Sequence, residues 1–321
     1  MIVVTCPGQG AQTPGMLDAW LSGGAERELI DRLSEAAGLD LARHGTVSDA
    51  ETIRDTAVAQ PLIVAAGILA WNALAADPAR AERIGGVAGH SVGEITAAYA
   101  AGVFDAETAM RFVALRARLM ALDAAERRSG MSAVLGGDPE RVEARLAELG
   151  LFPANYNGPG QIVAAGEPEA LERLAAEPAP GTRVVPLKVA GAFHTPFMSR
   201  AREALAEQAA DFPVQDPVRT LWSNDAGRRI ETGEEFRRLL VQQLARPVRW
   251  DRCMEAFAEA GASGLVELPP AGTLVGLAKR GLRGVPALAL KSPEDLAPAR
   301  ELIDAAQAPA PEHRPEESKA E

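Results

Sequence analysis

The chain has 321 residues, of which 47% are apolar, 24% charged and 4% aromatic, a balance that suits a globular fold with a sizeable core built mainly from Ala, Val, Leu and Ile. Its formal net charge of −11 argues against non-specific nucleic-acid binding, which needs a basic surface to neutralise phosphates. Cys6 and Cys253 stand far apart and supply neither a disulfide framework nor a paired metal motif, so a reducing cytoplasm is the simpler setting.

Residues 2–5 read as a buried strand, followed by the Gly-rich turn Gly8-Gln9-Gly10-Ala11-Gln12. The N-terminus lacks the charged region of a signal peptide. Residues 49–76 read as mostly helical, with Gln60-Pro61 marking a break or a helix start. The apolar run over 61–74 is short of the ~18 unbroken residues a membrane span needs and carries Asn72, so no membrane partner is expected. Residues 84–88 read as a second strand, running into Gly89-His90-Ser91-Val92-Gly93 and then a helix from about Glu94 to before Gly102. Alternating strand and helix predicts an α/β sheet covered on both faces.

The middle of the chain has a different rhythm. A strand over 131–135 leads to Asp138 as N-cap, Pro139 in the first helical turn and Gly150 as the C-terminal stop. Strands over 151–156 and 161–165 meet at Asn157-Gly158-Pro159-Gly160. A helix over 168–176 and a strand over 183–189 complete the order β-α-β-β-α-β, the ferredoxin-like pattern. The expected organisation is a large domain of residues 1–126 and 198–307 with a small domain, 127–197, inserted into it. The large domain continues with helices over 199–210 and 233–244, strands over 220–223 and 263–268, and a helix over 274–280. Residues 308–321, rich in Pro, Glu and Ala, are expected to be a disordered tail.

Gly89 to Gly93 match G-x-S-x-G. That pattern places a serine on a sharp strand-to-helix turn, where flanking glycines let the two elements approach and the helix N-terminus favours developing negative charge. The apolar strand before it and the helix after it give the right context, so Ser91 is the candidate nucleophile. A serine hydroxyl needs a base within hydrogen-bond reach. Of four histidines, His313 lies in the tail, His90 adjoins Ser91 on a tight turn and should point elsewhere, and His44 sits at a polar helix end. His194 remains, in the loop where the small domain rejoins the large one. The Gly8-Gln9-Gly10 loop lacks the third glycine of a dinucleotide fingerprint and the Gly-Lys-Ser/Thr of a P-loop. It reads either as a plain tight turn or as a loop that meets the elbow and lends a backbone N–H to an oxyanion, partnered by the N–H of Val92. Lys279, Arg280 and Arg283 form a basic cluster, readable as a solvated helix end or as a local patch for an acidic partner. Arg116 is one of three arginines on a helix and taken alone reads as a solvated face.

Together, Pro7-Gly8-Gln9-Gly10-Ala11-Gln12, Ala88-Gly89-His90-Ser91-Val92-Gly93-Glu94 and Gly191-Ala192-Phe193-His194-Thr195-Pro196 resemble the malonyl-CoA:acyl carrier protein transacylases, close to the actinobacterial type. The stretches Asn155-Tyr156-Asn157, Gly160-Gln161 and 243–250 look like this family too, and the resemblance runs to about Leu302. It implies an α/β-hydrolase-like large domain with a mainly parallel sheet. Ser91 would be acylated, His194 would be the base, and the N–H groups of Gln9 and Val92 would form the oxyanion hole. Arg116 would hold the malonyl carboxylate through a two-pronged guanidinium contact. Met120, Phe193, Asn155 and Asn157 would line the substrate site. A backbone carbonyl at Gln243 would orient the histidine in place of a triad carboxylate, since no Asp or Glu beside the elbow or His194 stands out in the sequence. Phe193 leaves little room for a branching methyl and favours malonyl, although one methyl is worth only ~1–3 kcal/mol. The implied partners are malonyl-CoA and holo acyl carrier protein. No cofactor is implied, because coenzyme A and phosphopantetheine enter as substrate parts. Rival readings are a serine esterase or thioesterase, the acyltransferase of malonate decarboxylase, and a discrete polyketide acyltransferase.

Overall fold

The computed structural model describes residues 1–306 of the chain; the tail expected over 308–321 lies outside the described residues. The strands, in chain order, are β1 (Ile2–Cys6), β2 (Ile84–Gly89), β3 (Gly130–Gly136), β4 (Phe152–Tyr156), β5 (Gln161–Gly166), β6 (Thr182–Pro186), β7 (Thr220–Trp222), β8 (Val248–Arg249), β9 (Gly264–Glu267) and β10 (Ala287–Ala289). They form two sheets. The first, ordered β10-β9-β1-β2-β7, is parallel throughout. β1 and β9 are buried at every position, and β2 nearly so, as expected for central strands covered on both faces. The parallel ladder brings the C-terminal ends of β1 and β2 side by side, with Cys6 opposite Gly89. Both candidate site loops therefore leave the same edge of the sheet.

The second sheet is ordered β6-β3-β5-β4-β8. Its first four strands are antiparallel and follow the ferredoxin-like order. Period-two alternation divides β5 between two cores: Ile162 and Ala164 pack under the helices of the small unit, while Val163 and Ala165 join the main core. The fifth strand was not anticipated. β8, from the far end of the chain, adds in parallel to β4, so the second sheet is stitched to the large unit by hydrogen bonds. Two residues give too short a pattern to read as a strand.

The helix Thr56–Leu74 runs through Pro61 without stopping. The proline removes one helical hydrogen bond, but the helix is buried along nearly its whole length and packs against the helices Ala106–Glu126 and Gly93–Ala100. Tertiary packing outweighs the local penalty. With 19 residues and a mean hydropathy of 1.6, this helix is long and apolar enough to cross a membrane. The criterion of an unbroken apolar run passes over it because Gln60 and Asn72 interrupt it. In this fold 78% of its most apolar window is buried inside the protein, the pattern of a core helix that is hydrophobic all round.

Candidate active site

β2 ends in the turn that carries Ser91, and the helix Gly93–Ala100 starts two residues later. Ser91 has φ of 53°, a left-handed conformation that a non-glycine residue keeps only when its surroundings enforce it. The enforcement is visible. The Ser91 N–H donates to Asn224 Oδ1 at 2.8 Å, and Asn224 Nδ2 donates to the Gly89 carbonyl at 2.7 Å. The His90 N–H donates to the Cys6 carbonyl at 2.9 Å. A Cβ on Gly89 would lie 1.9 Å from the Gly93 carbonyl carbon, and one on Gly93 would lie 2.1 Å from the Cys6 oxygen. The two glycines of the motif are thus required by backbone approach. The same contacts bring the turn after β1 against the elbow.

His194 also has a positive φ, 62°. Its N–H donates to the Leu244 carbonyl at 3.0 Å, and its loop is pinned by Thr195 Oγ1 donating to Ala192 O and by Ala192 N donating to Ser129 Oγ. The ring is nearly fully buried. Nε2 lies 2.7 Å from Ser91 Oγ, and Nδ1 lies 2.8 Å from the Gln243 carbonyl oxygen. A carbonyl can only accept, so Nδ1 carries the proton and the Nε2 lone pair faces the serine. Burial, with smaller contributions from Arg116 and His90, holds the imidazole down to about 3, so it is neutral at physiological pH.

Arg116 comes from the helix Ala106–Glu126 and is 1% exposed. Its Nη1 donates to Gln60 Oε1 at 2.5 Å and its Nη2 to Gln243 Oε1 at 2.8 Å. Its buried Nε has no partner among the described residues. Burial lowers the guanidinium to about 10, which leaves it charged. The direct partners of this buried cation are amide oxygens rather than a carboxylate, which leaves Nε open to an acidic group from a ligand. The solvated-face reading of Arg116 is therefore wrong, because the helix turns this arginine inward.

Of the remaining sequence candidates, Gln243, Met120, Phe193 and Val92 adjoin these groups. Gln243 reaches Arg116 with its side chain and His194 with its carbonyl. Met120 is buried with its sulfur 3.5 Å from Gln60 Nε2. Phe193 is buried beside His194. Asn157 Oδ1 lies 2.8 Å from His90 Nε2, so His90 points away from Ser91 toward the small sheet. Asn155, buried on β4, pairs with Val163 of β5 and Val248 of β8. Val92 is buried at the elbow. In the turn after β1, Gln9 Nε2 donates to Arg54 O and the Gly10 N–H to Gln12 Oε1. Lys279 and Arg280 are exposed on the helix Thr273–Gly281, and Arg280 Nη2 donates to Gln161 Oε1 on the small sheet at 2.8 Å.

Three polar residues at the site escape the sequence reading. Gln60 looks like part of an apolar run, and Asn224 lies 133 residues from the serine it clamps. Glu94, quoted with the elbow but given no role by the sequence, is 1% exposed, accepts from the Asn224 N–H at 2.6 Å and accepts from Gln243 Nε2. Burial pushes it up to about 8 against the pull of its donors and of Arg116. It does not touch His194. The one signal available was its place in the first turn after the elbow, a turn buried on both sides. No cluster of potential metal ligands occurs among the described residues.

Comparison with known proteins follows the same lines. Residues 3–304 match the acyl transferase domain model. The chain is 51% identical over 296 residues to the malonyl CoA-acyl carrier protein transacylase of Mycobacterium bovis, covering 92% of this chain and 98% of that protein. It is 33% identical over 303 residues to the protein of that name from Escherichia coli, covering 92% and 97%. The crystal structure of MCAT from Mycobacterium tuberculosis superposes with a TM-score of 0.89 at 50% identity, covering 94% of this chain and 99% of that one. A malonyl-transacylase solved in complex with its type II PKS acyl-carrier protein superposes with a TM-score of 0.85 at 30% identity, over 94% and 99% of the two chains.

Proposed function

The chain belongs to the acyl transferase domain family, and within it to the malonyl-CoA:acyl carrier protein transacylases; from that premise we propose that it moves malonyl from malonyl-CoA to the phosphopantetheine thiol of an acyl carrier protein through a malonyl ester on Ser91. His194 Nε2 takes the Ser91 proton as Oγ attacks the thioester carbonyl carbon. The oxyanion is received by the N–H groups of Gln9 and Val92. The tetrahedral intermediate collapses, the carbon–sulfur bond breaks, and coenzyme A leaves as a thiol with the proton from His194. The carrier thiol then attacks the ester, its proton passes to His194, and Ser91 recovers that proton when the malonyl thioester departs. The Gln243 carbonyl keeps Nδ1 protonated throughout. Arg116 holds the malonyl carboxylate, with Met120, Phe193, Asn155 and Asn157 shaping the site.

The observation that carries the malonyl reading is the Arg116 guanidinium, buried beside the serine–histidine pair and bonded to amides, with Nε unpartnered. An acyl chain that ends in a carboxylate completes it, and an uncharged acyl chain does not. The enzyme draws on no cofactor of its own. We place residues 1–126 and 198–307 in the large domain and 127–197 in the small one, the cleft between them excluding water from the ester. Lys279, Arg280 and Arg283 offer a basic face to an acidic carrier protein, and the two buried thiols fit a cytoplasmic setting. Incubation with malonyl-CoA, with and without holo carrier protein, tests the reaction class. Malonyl should appear on the carrier and little free malonate without it; malonate release that ignores the carrier makes the protein a hydrolase.

A further inference from the structure

Gln243 is a junction. Its carbonyl accepts from His194 Nδ1, its Oε1 accepts from Arg116 Nη2, and its Nε2 donates to Glu94 Oε2 and, more weakly, to the Ser91 carbonyl at 3.2 Å and Asn224 Oδ1 at 3.3 Å. Asn224 is a second junction: its Oδ1 holds the Ser91 N–H and its Nδ2 holds the Gly89 carbonyl. One buried carboxylate joins them, with Oε1 on the Asn224 N–H and Oε2 on the Gln243 amide.

We propose that Glu94 is a positioning residue that fixes which way the Gln243 amide faces, and thereby aims Arg116 at the acyl carboxylate. Arg116 has N–H donors only, so it needs the oxygen end of Gln243. That orientation sends Nε2 the other way, into the buried space beside Glu94, where it must meet an acceptor. Both Glu94 oxygens accept in the structure, Oε1 from a backbone N–H that cannot turn round and Oε2 from Gln243 Nε2, which is the ionised form. Burial raises its pKa to about 8, so the test is made at about pH 9 to keep it ionised. A glutamine at position 94 would keep the bond from Asn224 but set its NH2 against that of Gln243. The Gln243 amide is the movable partner. Flipping it relieves the clash at position 94 and presents NH2 to the guanidinium, which turns Arg116 away from its aim. The flip gives up the weaker Nε2 contacts to the Ser91 carbonyl and Asn224 Oδ1, but His194 keeps its tautomer and its aim at Ser91, because it is held by the Gln243 backbone and not by the side chain.

This inference rests on the reading that malonyl sits against Arg116, and the experiment separates the two. Wild type and Glu94→Gln are exposed briefly to malonyl-CoA or to acetyl-CoA, and the acylated fraction is followed by intact-protein mass spectrometry. Thermal melting serves as the check on folding. The expected result is a ratio of malonyl to acetyl acylation at least tenfold lower in Glu94→Gln, in a protein that still melts cooperatively. An unchanged ratio, whether both rates fall together or neither falls, overturns the role of Glu94. A wild-type protein that takes no malonyl overturns the proposed function instead. Should Glu94→Gln not fold, the double variant Glu94→Gln/Gln243→Glu restores the alternation of donor and acceptor. Recovery of folded protein then supports the link between the two residues, and no recovery overturns it.

Discussion

The two halves of the site are built by different means. The half proposed to form and break bonds is held mainly by backbone geometry, with the Asn224 side chain as its clamp. Ser91 and His194 both occupy left-handed conformations, two glycines let strand and helix touch, and a main-chain carbonyl sets the imidazole tautomer. The half that would read the acyl tail is held by side chains, with Arg116 suspended between the amides of Gln60 and Gln243 and steadied from behind by Glu94. The contrast teaches that the serine–histidine pair is set by main-chain geometry, whereas the placement of Arg116 rests on a few replaceable side chains.

The sharpest way to break the comparison is Arg116→Ala. Leaving the malonyl carboxylate buried without its partner costs about 3–5 kcal/mol, a loss of at least a hundredfold in malonyl acylation, while acetyl acylation changes severalfold at most. Rates measured with both thioesters check this, and an equal fall in both would erase the distinction between the halves. The converse variant is Gly93→Ala. Its methyl would enter the space of the Cys6 carbonyl, and local backbone strain of about 1–3 kcal/mol should lower the melting temperature and slow malonyl and acetyl acylation alike, roughly tenfold or more. A selective effect on malonyl would contradict the division.

A gentler probe is pH. The folded-state pKa of His194 is depressed from 6.5 to about 3, so the base is already neutral at pH 5.5. The rate of Ser91 acylation should show no half-loss near 6.5 on its acid side, and a titration centred there would show a solvated imidazole. The linkage to stability has the same sign: the contribution of His194 is fully present above 6.5 and is lost as pH falls toward 3. Glu94, raised from 4.5 to about 8, acts in the opposite sense, and its contribution is present below 4.5 and lost as pH rises through 8. The smallest effect expected lies outside both halves. Reversing the charge at Lys279 and Arg280 should raise KM for carrier protein severalfold, more than KM for malonyl-CoA, and most visibly at low salt. No change in steady-state KM would put docking elsewhere.

How much could be read beforehand follows the same division. The elbow is legible because strand, turn and helix are contiguous and the glycines mark the turn. The ferredoxin-like order of the small unit is legible for a similar reason, each element carrying its own caps and turns. His194 is reachable by elimination among four histidines. The acyl-tail half is not legible from local pattern, because its members come from elements far apart in the chain. Arg116 looks solvated on its own helix and Gln60 is lost in an apolar run; at the elbow, Asn224 is hidden for the same reason, coming from beyond an edge strand. Glu94 was in view but silent, since burial is a tertiary property that a residue's neighbours in sequence do not announce. β8 and the passage of a helix through Pro61 are further cases in which packing decided against a local signal.

The account turns on Ser91 Oγ, 2.7 Å from His194 Nε2, being the atom that takes the acyl group. Peptide mapping by mass spectrometry after brief exposure to malonyl-CoA addresses it most directly, with Ser91→Ala in parallel. A malonyl ester on the peptide containing Ser91, absent from the alanine variant, is the predicted result. A malonyl adduct retained by Ser91→Ala, or mapped to another residue in the wild type, would contradict it.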